Sequence, residues 1–270
     1  MSITTKPSLY DQLKQALDDQ TPVAVVTVIK GDPLGAKLLV LPDRTEGSIG
    51  IADLDGAVAT DARQLLVDEK SETRPYAVPG AGNTVELFIE TFPPPPTLLI
   101  FGAVHVAQAL CRFAKLLGFN VVVIDARAKL ATEERFPEAD RIIQAWPDEA
   151  LQELVIEPNT YVAILTHDPK FDEPALLGTL ETKARYIGAV GSRNTNRDRR
   201  VRLRDAGVDD ESLSRVRGPI GLDIGAETPE EMAISILAEI IAVRHGRDGG
   251  PLTHATGNIR GEQQEDPDGS

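Results

Sequence analysis

The sequence predicts an α/β protein: a C-terminal Rossmann-like parallel sheet with helices on both faces, preceded by a smaller α+β domain. Three observations carry that expectation. Residues 97–125 read TLLIFGAVHVAQALCRFAKLLGFNVVVID. This is a branched apolar strand, a glycine turn, an amphipathic helix, a second apolar strand and an acidic end, the pattern that opens a nucleotide-binding βαβ fold. Apolar strands then alternate with helical patterns, as a parallel doubly wound sheet requires. Pro93–Pro96 sets four prolines in a row, a stiff extended spacer without backbone donors. The expected domains are residues 1–92 and 97–246, with 93–96 as linker and 247–270 as a disordered tail.

Each element has a local reason. Ser8 stands as an N-cap with Asp11 three residues on, and Leu9, Leu13 and Leu17 give a short amphipathic helix. Thr21–Ile29 is β-branched and reads as a buried strand, Lys30–Gly35 as a turn, Ala36–Leu41 as a second strand and Pro42–Gly47 as another turn. Leu54–Val67 is helical, with Val58, Ala62, Leu65 and Leu66 toward a core, and Thr84–Glu90 alternates as a half-exposed strand. In the larger domain Thr97–Phe101 and Val121–Ile124 flank a helix over Val104–Leu117, with Arg141–Ile143 a short strand and Pro147–Leu154 a short helix. Tyr161–Leu165 and Tyr186–Val190 are further strands, and Glu173–Leu180 and Asn194–Ala206 are helices. Thr228-Pro-Glu-Glu opens the last helix with a capping box and proline at its first position. There is no internal repeat.

Composition narrows the function. A net charge of −14 argues against non-specific binding of nucleic acid or anionic membrane. One cysteine, Cys111, rules out an intrachain disulfide and a multi-cysteine zinc site. It falls on the apolar side of its helix and reads as core packing. No apolar run approaches the roughly 20 residues of a membrane span, and the first residues lack the apolar core of a signal peptide. A cytoplasmic protein is expected, without a resident metal site.

Ligands gather outside the carboxyl ends of parallel strands. That rule selects Gly102 and His105 after the first strand of the larger domain, Asp125 after the second, His167 and Asp168 after a later one, and Gly191, Ser192 and Arg193 after the next. In the G-x-G-x-x-G pattern Gly102 holds the first place, but Val104 holds the second and Ala107 the third. Alanine there still allows close helix–strand packing, whereas a branched side chain at the second place obstructs a pyrophosphate. Asp125 suits a ribose hydroxyl or a cap, and Arg127 a phosphate. His105 suits a phosphate or carbonyl, and the His167–Asp168 pair suits a metal, a polar ligand or turn chemistry, with no third metal ligand evident. Gly191-Ser192-Arg193 offers amides, a hydroxyl and a guanidinium to an anion. Arg193 and Arg197 lie one turn apart, while Arg199, Arg200, Arg202 and Arg204 read mostly as a solvated face or as partners of acidic neighbours. The glycine-rich loop GPIGLDIG at 218–225 carries one charged side chain, Asp223, and reads as a ligand loop or a tight turn. No catalytic residue stands out.

The segments GAVHVAQAL, THDPKFDEPAL, YIGAVGSRNTNRDRRVRL and PIGLDIGAETPEEMAISILAEIIAVRHG resemble the C-terminal Rossmann domain of the xanthine dehydrogenase accessory factor (XdhC/CoxI) family. The resemblance covers about residues 97–246, and residues 21–60 are more weakly similar to the family's N-terminal domain. It implies a chaperone more than a catalyst. Such a protein binds the molybdenum cofactor (molybdopterin), works with a sulfurtransferase such as a cysteine desulfurase, and passes the cofactor to an apo-molybdenum hydroxylase, often as a homodimer. The chain departs from the family pattern in three places. No cysteine follows the turn in GSIGIADLDGAVATDA, none lies in VPGAGNTVEL, and Val104 stands where glycine is usual. A thiolate that held molybdenum in typical members would have no counterpart here. The alternative readings are an NAD(P)-dependent oxidoreductase and a ligand-free scaffold.

Overall fold

The computed structural model describes residues 7–255. The described residues form two compact units that divide between Pro95 and Pro96.

The first unit opens with α1 (Leu9–Asp18), whose Ser8 and Asp11 form a reciprocal capping box. Then come β1 (Val23–Lys30), β2 (Lys37–Val40), β3 (Thr45–Ser48), α2 (Ala52–Asp68), β4 (Glu72–Ala77) and β5 (Thr84–Phe92). The strands pair antiparallel in the order β3-β2-β1-β5-β4. Strand alternation sends Val26, Val28, Val85, Leu87 and Ile89 to one face, where Val58, Ala62 and Leu65 of α2 cover them. Val23, Leu39 and Leu41 lie in a second cluster with Ala16 of α1. The sequence reading misses β3 and β4. Both are edge strands, polar in composition, and Pro75 sits within β4. Only an edge tolerates that proline, and only pairing with a neighbour makes such a segment a strand.

The second unit runs β6 (Thr97–Phe101), α3 (His105–Leu116), β7 (Asn120–Ile124), β8 (Arg141–Ile143), α4 (Pro147–Gln152), β9 (Thr160–Ile164), α5 (Pro169–Leu180), β10 (Tyr186–Ala189), α6 (Arg193–Asp205), α7 (Asp210–Ser214), β11 (Val216–Arg217) and α8 (Pro229–Arg244). Its six strands are all parallel, in the order β11-β10-β9-β6-β7-β8. Successive strands therefore build outward from β6 in one direction, then return to its other side with β9. The switch point lies between β6 and β9, where a doubly wound sheet opens a crevice.

Both faces are buried, so the strands read as continuous apolar runs. Leu98, Ile100, Val121, Val123 and Ala163 meet α3 and α8 on one side. Leu99, Phe101, Val162, Ile164 and Ile187 meet the layer of α5, α6 and α7 on the other. Each of the Val, Leu, Ile and Phe side chains among these, fully buried, contributes about 1.5–3 kcal/mol relative to exposure.

The second unit departs from the sequence reading in several places. Helix α5 begins at Pro169 rather than Glu173, because Asp168 caps it and proline at the first position costs no helical bond. Short α7 and β11 lie where no element was expected. From residue 247 the sequence reads as a tail, yet Leu252–His254 form a 3-10 turn, and residues 256–270 lie outside the described residues. Among the described residues no helix is long and apolar enough to cross a membrane.

Helix α3 closes on the sheet through Ala107, which is fully buried. Ala107→Leu is expected to destabilise the unit by about 1–3 kcal/mol through overpacking. The measure is a lower urea midpoint at unchanged m-value.

Candidate functional site at the switch point

At the switch point the chain turns first at Gly102. Its φ of +106° follows β6, and a Cβ there would collide with the Thr166 methyl group. Glycine is thus required twice, for backbone conformation and for close approach of the β6 and β9 ends. Val104, the N-cap residue of α3, has φ −84° and ψ 179° and makes no side-chain cap. That conformation is open to any residue, and the half-buried Val104 side chain packs partly against the core. A glycine at this place would supply space, not a backbone shape. The His105 and Val106 amides have no acceptor among the described residues, while the next one, Ala107, donates to the Val104 carbonyl at 3.1 Å. Two donors at the positive end of a twelve-residue helix are thus left for an anion.

Asp125, at the end of β7, is 1% exposed. One of its oxygens accepts the Ala103 amide at 2.7 Å and Arg127 Nη2 at 2.7 Å; the other accepts the Arg127 amide and Nε, both at 2.9 Å. Burial pushes this carboxyl up, but the Arg127 and Ala103 donors outweigh it and hold the group below the usual carboxylate range. Its oxygens therefore serve the glycine turn. Arg135 adds a bond from Nη1 to the Ala103 carbonyl at 3.0 Å.

The later loops bring the other selected residues to the same edge of the sheet. His167 and Asp168 follow β9, both exposed, and Asp168 accepts the Lys170 amide at 3.0 Å as the cap of α5. Gly191, with φ +126°, precedes Ser192, which caps α6 by accepting the Thr195 amide at 3.1 Å. Arg193 is exposed at the first position of α6. Asp223 is exposed in the loop between β11 and α8. That loop is clamped: the Ile220 amide donates to the Ala189 carbonyl at 3.1 Å, and Gly221 donates to Glu239 at 2.8 Å. Buried Glu239 also accepts from Tyr186 and, at 3.4 Å, from Arg217.

The arginine-rich helix requires a correction. Arg202 pairs with Glu173 and Arg204 with Asp210, but Arg199 is not on a solvated face. It is 2% exposed, donates to Asp172 at 2.9 Å, to Asn196 at 2.6 Å and to the Val190 carbonyl at 3.0 Å. Arg200 is half-buried and donates to the Val216 carbonyl at 3.0 Å. Asp172 also accepts from Thr166, and Asn196 donates to the Gly191 carbonyl at 2.9 Å. One buried network thus anchors the loops after β9 and β10. A signal for it existed: Asn196, Arg199 and Leu203 fall at helical spacing on one stripe, as do Asp172, Ala175, Leu176 and Thr179. Polar residues inside an apolar stripe mark a buried pair.

Cys111 is fully buried, as its periodicity suggested, and burial together with the Glu138 and Asp140 charges pushes its thiol up to about 12. It offers no thiolate. Among the described residues no three His, Cys, Asp or Glu side chains gather to hold a metal ion.

A six-stranded doubly wound sheet with polar loops around its switch point defines a Rossmann-type domain. Residues 98–240 match the XdhC Rossmann domain, and residues 16–77 match the XdhC and CoxI family. The chain belongs to that family. It is 34% identical over 237 residues to the uncharacterized protein YqeB of Escherichia coli K12, covering 83% of this chain and 43% of that protein. It is 35% identical over 167 residues to a probable xanthine dehydrogenase subunit from Bacillus subtilis, covering 62% and 48%. It is 29% identical over 181 residues to the molybdenum cofactor insertion chaperone PaoD of Escherichia coli K12, covering 67% and 48%. The chain thus spans about half the length of these curated relatives. A crystal structure described as a xanthine dehydrogenase from Bacillus halodurans shares the fold, with a TM-score of 0.52 at 22% identity over 87% of this chain and 95% of that one.

Two measurements test the site. Arg199→Met leaves Asp172 buried without its counter-charge and is expected to cost about 3–5 kcal/mol at neutral pH. Burial already raises Asp172, against the pull of Thr166 and Arg199. Without Arg199 the folded-state pKa stands higher still. The deficit then shrinks as pH falls through that raised value and the carboxyl takes up its proton, which denaturation at a series of pH values reads directly. Val104→Gly is expected to raise nucleotide affinity in calorimetric titration; unchanged affinity would remove the obstruction assigned to its side chain.

Proposed function

We propose that this chain binds a molybdenum cofactor and delivers it to an apo-molybdenum hydroxylase, such as a xanthine or carbon monoxide dehydrogenase. The observation that carries the reading is the uncapped start of α3 at the sheet's switch point, in a chain similar to a molybdenum cofactor insertion chaperone. Helix starts of this kind receive phosphate, and molybdopterin carries one. The His105 and Val106 amides would take that phosphate, with Arg193 supplying a compensating charge. His167 and Asp168 would meet polar atoms of the pterin or of a nucleotide attached to it. The donor set fits the organic part of the cargo. It does not include a sulfur ligand for molybdenum, because Cys111 is enclosed and protonated. The cargo would therefore be held by its phosphate and pterin, a mode suited to release on docking. A sulfurtransferase and a second copy of the chain are further partners in this reading, brought by family membership.

The alternative of an NAD(P)-dependent oxidoreductase draws on the sheet order, but Asp125, its natural ribose anchor, already has four protein donors.

The test is retention. The full chain, mixed with molybdopterin released from a molybdenum hydroxylase and passed through gel filtration, is expected to carry pterin fluorescence after oxidation. It should then restore activity to an apo-hydroxylase. Arg193→Ala is expected to weaken retention about tenfold, on the scale of one charge-assisted hydrogen bond. A chain that emerges free of pterin under these conditions ends the proposal.

A further inference from the structure

Helix α8 inverts the usual arrangement of a surface helix, which turns apolar residues inward and polar ones to water. Between Met232 and Val243 its only polar side chains are Ser235 and Glu239, and both are buried. Ser235 donates to the Leu222 carbonyl at 2.6 Å, and Glu239 accepts the Gly221 amide at 2.8 Å. Ala233, Ile236, Leu237 and Ile240 fill the core shared with α3 and the sheet. The outer face is left with Ile234, 50% exposed, Ile241, 36% exposed, and a half-buried Ala238 between them. A helix that is apolar all round is ordinarily buried all round. The face is acidic at one end and basic at the other. Exposed Glu230 lies one turn before Ile234, and exposed His245 one turn after Ile241. Glu227 and Glu231 add to the acidic end, and Arg244 and Arg247 to the basic end, where Asp248 is turned onto the Gly250 amide.

We infer that this outer face is an interface between two copies of the chain, with α8 packed antiparallel against the partner's α8 about a two-fold axis near Ala238. A two-fold interface uses one patch twice, so each residue must suit its counterpart in reversed order. The stripe Glu230, Ile234, Ala238, Ile241 and His245 meets that condition. Its members stand three or four residues apart, on one side of a helix, and the order apolar-in-the-middle, charged-at-the-ends is the same from either direction. Reversal sets Ile234 against the partner's Ile241 and brings the two small Ala238 side chains near the crossing, where packed helix axes lie only about 8–10 Å apart. Glu230 then meets the partner's His245, whose ring N–H can donate to the carboxylate. Parallel pairing would instead set Glu230 against its own copy, and like charges repel. An unrelated partner would need only an apolar counterpart; the reversal of both the apolar and the charged positions is what singles out a second copy. An apolar centre with a polar rim is the usual anatomy of such a contact. The inference needs no ligand and is independent of the crevice and its cargo.

Sedimentation equilibrium of the full chain over a dilution series is expected to show a reversible dimer. Ile234→Glu and Ile241→Glu, both at exposed positions, are each expected to weaken it about a hundredfold or more, since the two-fold axis counts every substitution twice. Circular dichroism checks that the variants are folded. Glu230→Lys, which sets like charges at both ends of the helix pair, is expected to weaken the dimer about tenfold. Adding His245→Glu reverses the pair and is expected to recover most of that loss. A parent chain that shows no dimer, or a dimer of unchanged strength in either isoleucine variant, overturns the inference. So does a Glu230→Lys dimer as tight as the parent's, or a loss that His245→Glu does not recover.

Discussion

The larger domain depends on one buried carboxylate. Asp125 ties the end of β7 to the glycine turn after β6 through the Ala103 amide, and it fixes Arg127 at the crevice rim. The Gly102 conformation, the entry of α3 and the direction of its free amides all follow from where that turn is held. A charged acceptor does this better than a neutral one, since hydrogen bonds to an ionised group are about twice as strong. Burial raises the cost of the charge, and four donors offset it.

Two further polar networks do the same for the other loops. Thr166, Asp172, Arg199 and Asn196 join the segments after β9 and β10 beneath the crevice floor. Glu239, reaching from α8, holds Gly221 and Tyr186 and so fixes the glycine-rich loop that carries Asp223. That loop is a clamped turn, in spite of a composition that suggests flexibility. Buried networks of this kind add little net stability over apolar packing, but each leaves buried charge unpaired if a loop moves away. The side chains of His105, His167 and Arg193, all beyond the carboxyl ends of the strands, are meanwhile left exposed. The loops are thus tied down from beneath while these three side chains stay exposed at the same edge of the sheet.

Much of this was legible in the residues. Periodicity placed β6, α3, β7 and α8, because each element's burial is written in its own spacing. The strand-end rule brought Gly102, Asp125, His167 and Gly191 to one edge, since parallel connectivity leaves no other choice. Edge strands β3 and β4 were not legible, because a polar segment becomes a strand only when a neighbour supplies hydrogen bonds. Arg199 was misread for a related reason. A charged side chain is normally solvated, and its burial depends on Asp172 arriving from 27 residues away.

By itself the sequence determined the fold class and the family. These are properties of local pattern and motif. Only the tertiary structure decided which polar groups face a ligand and which serve the scaffold. Asp125 and Arg127 look interchangeable as ribose or phosphate partners until the Ala103 amide and the Arg127 fork close around the carboxylate. Hydrogen-bond capacity is finite, and how it is spent depends on groups that meet only when the chain has folded.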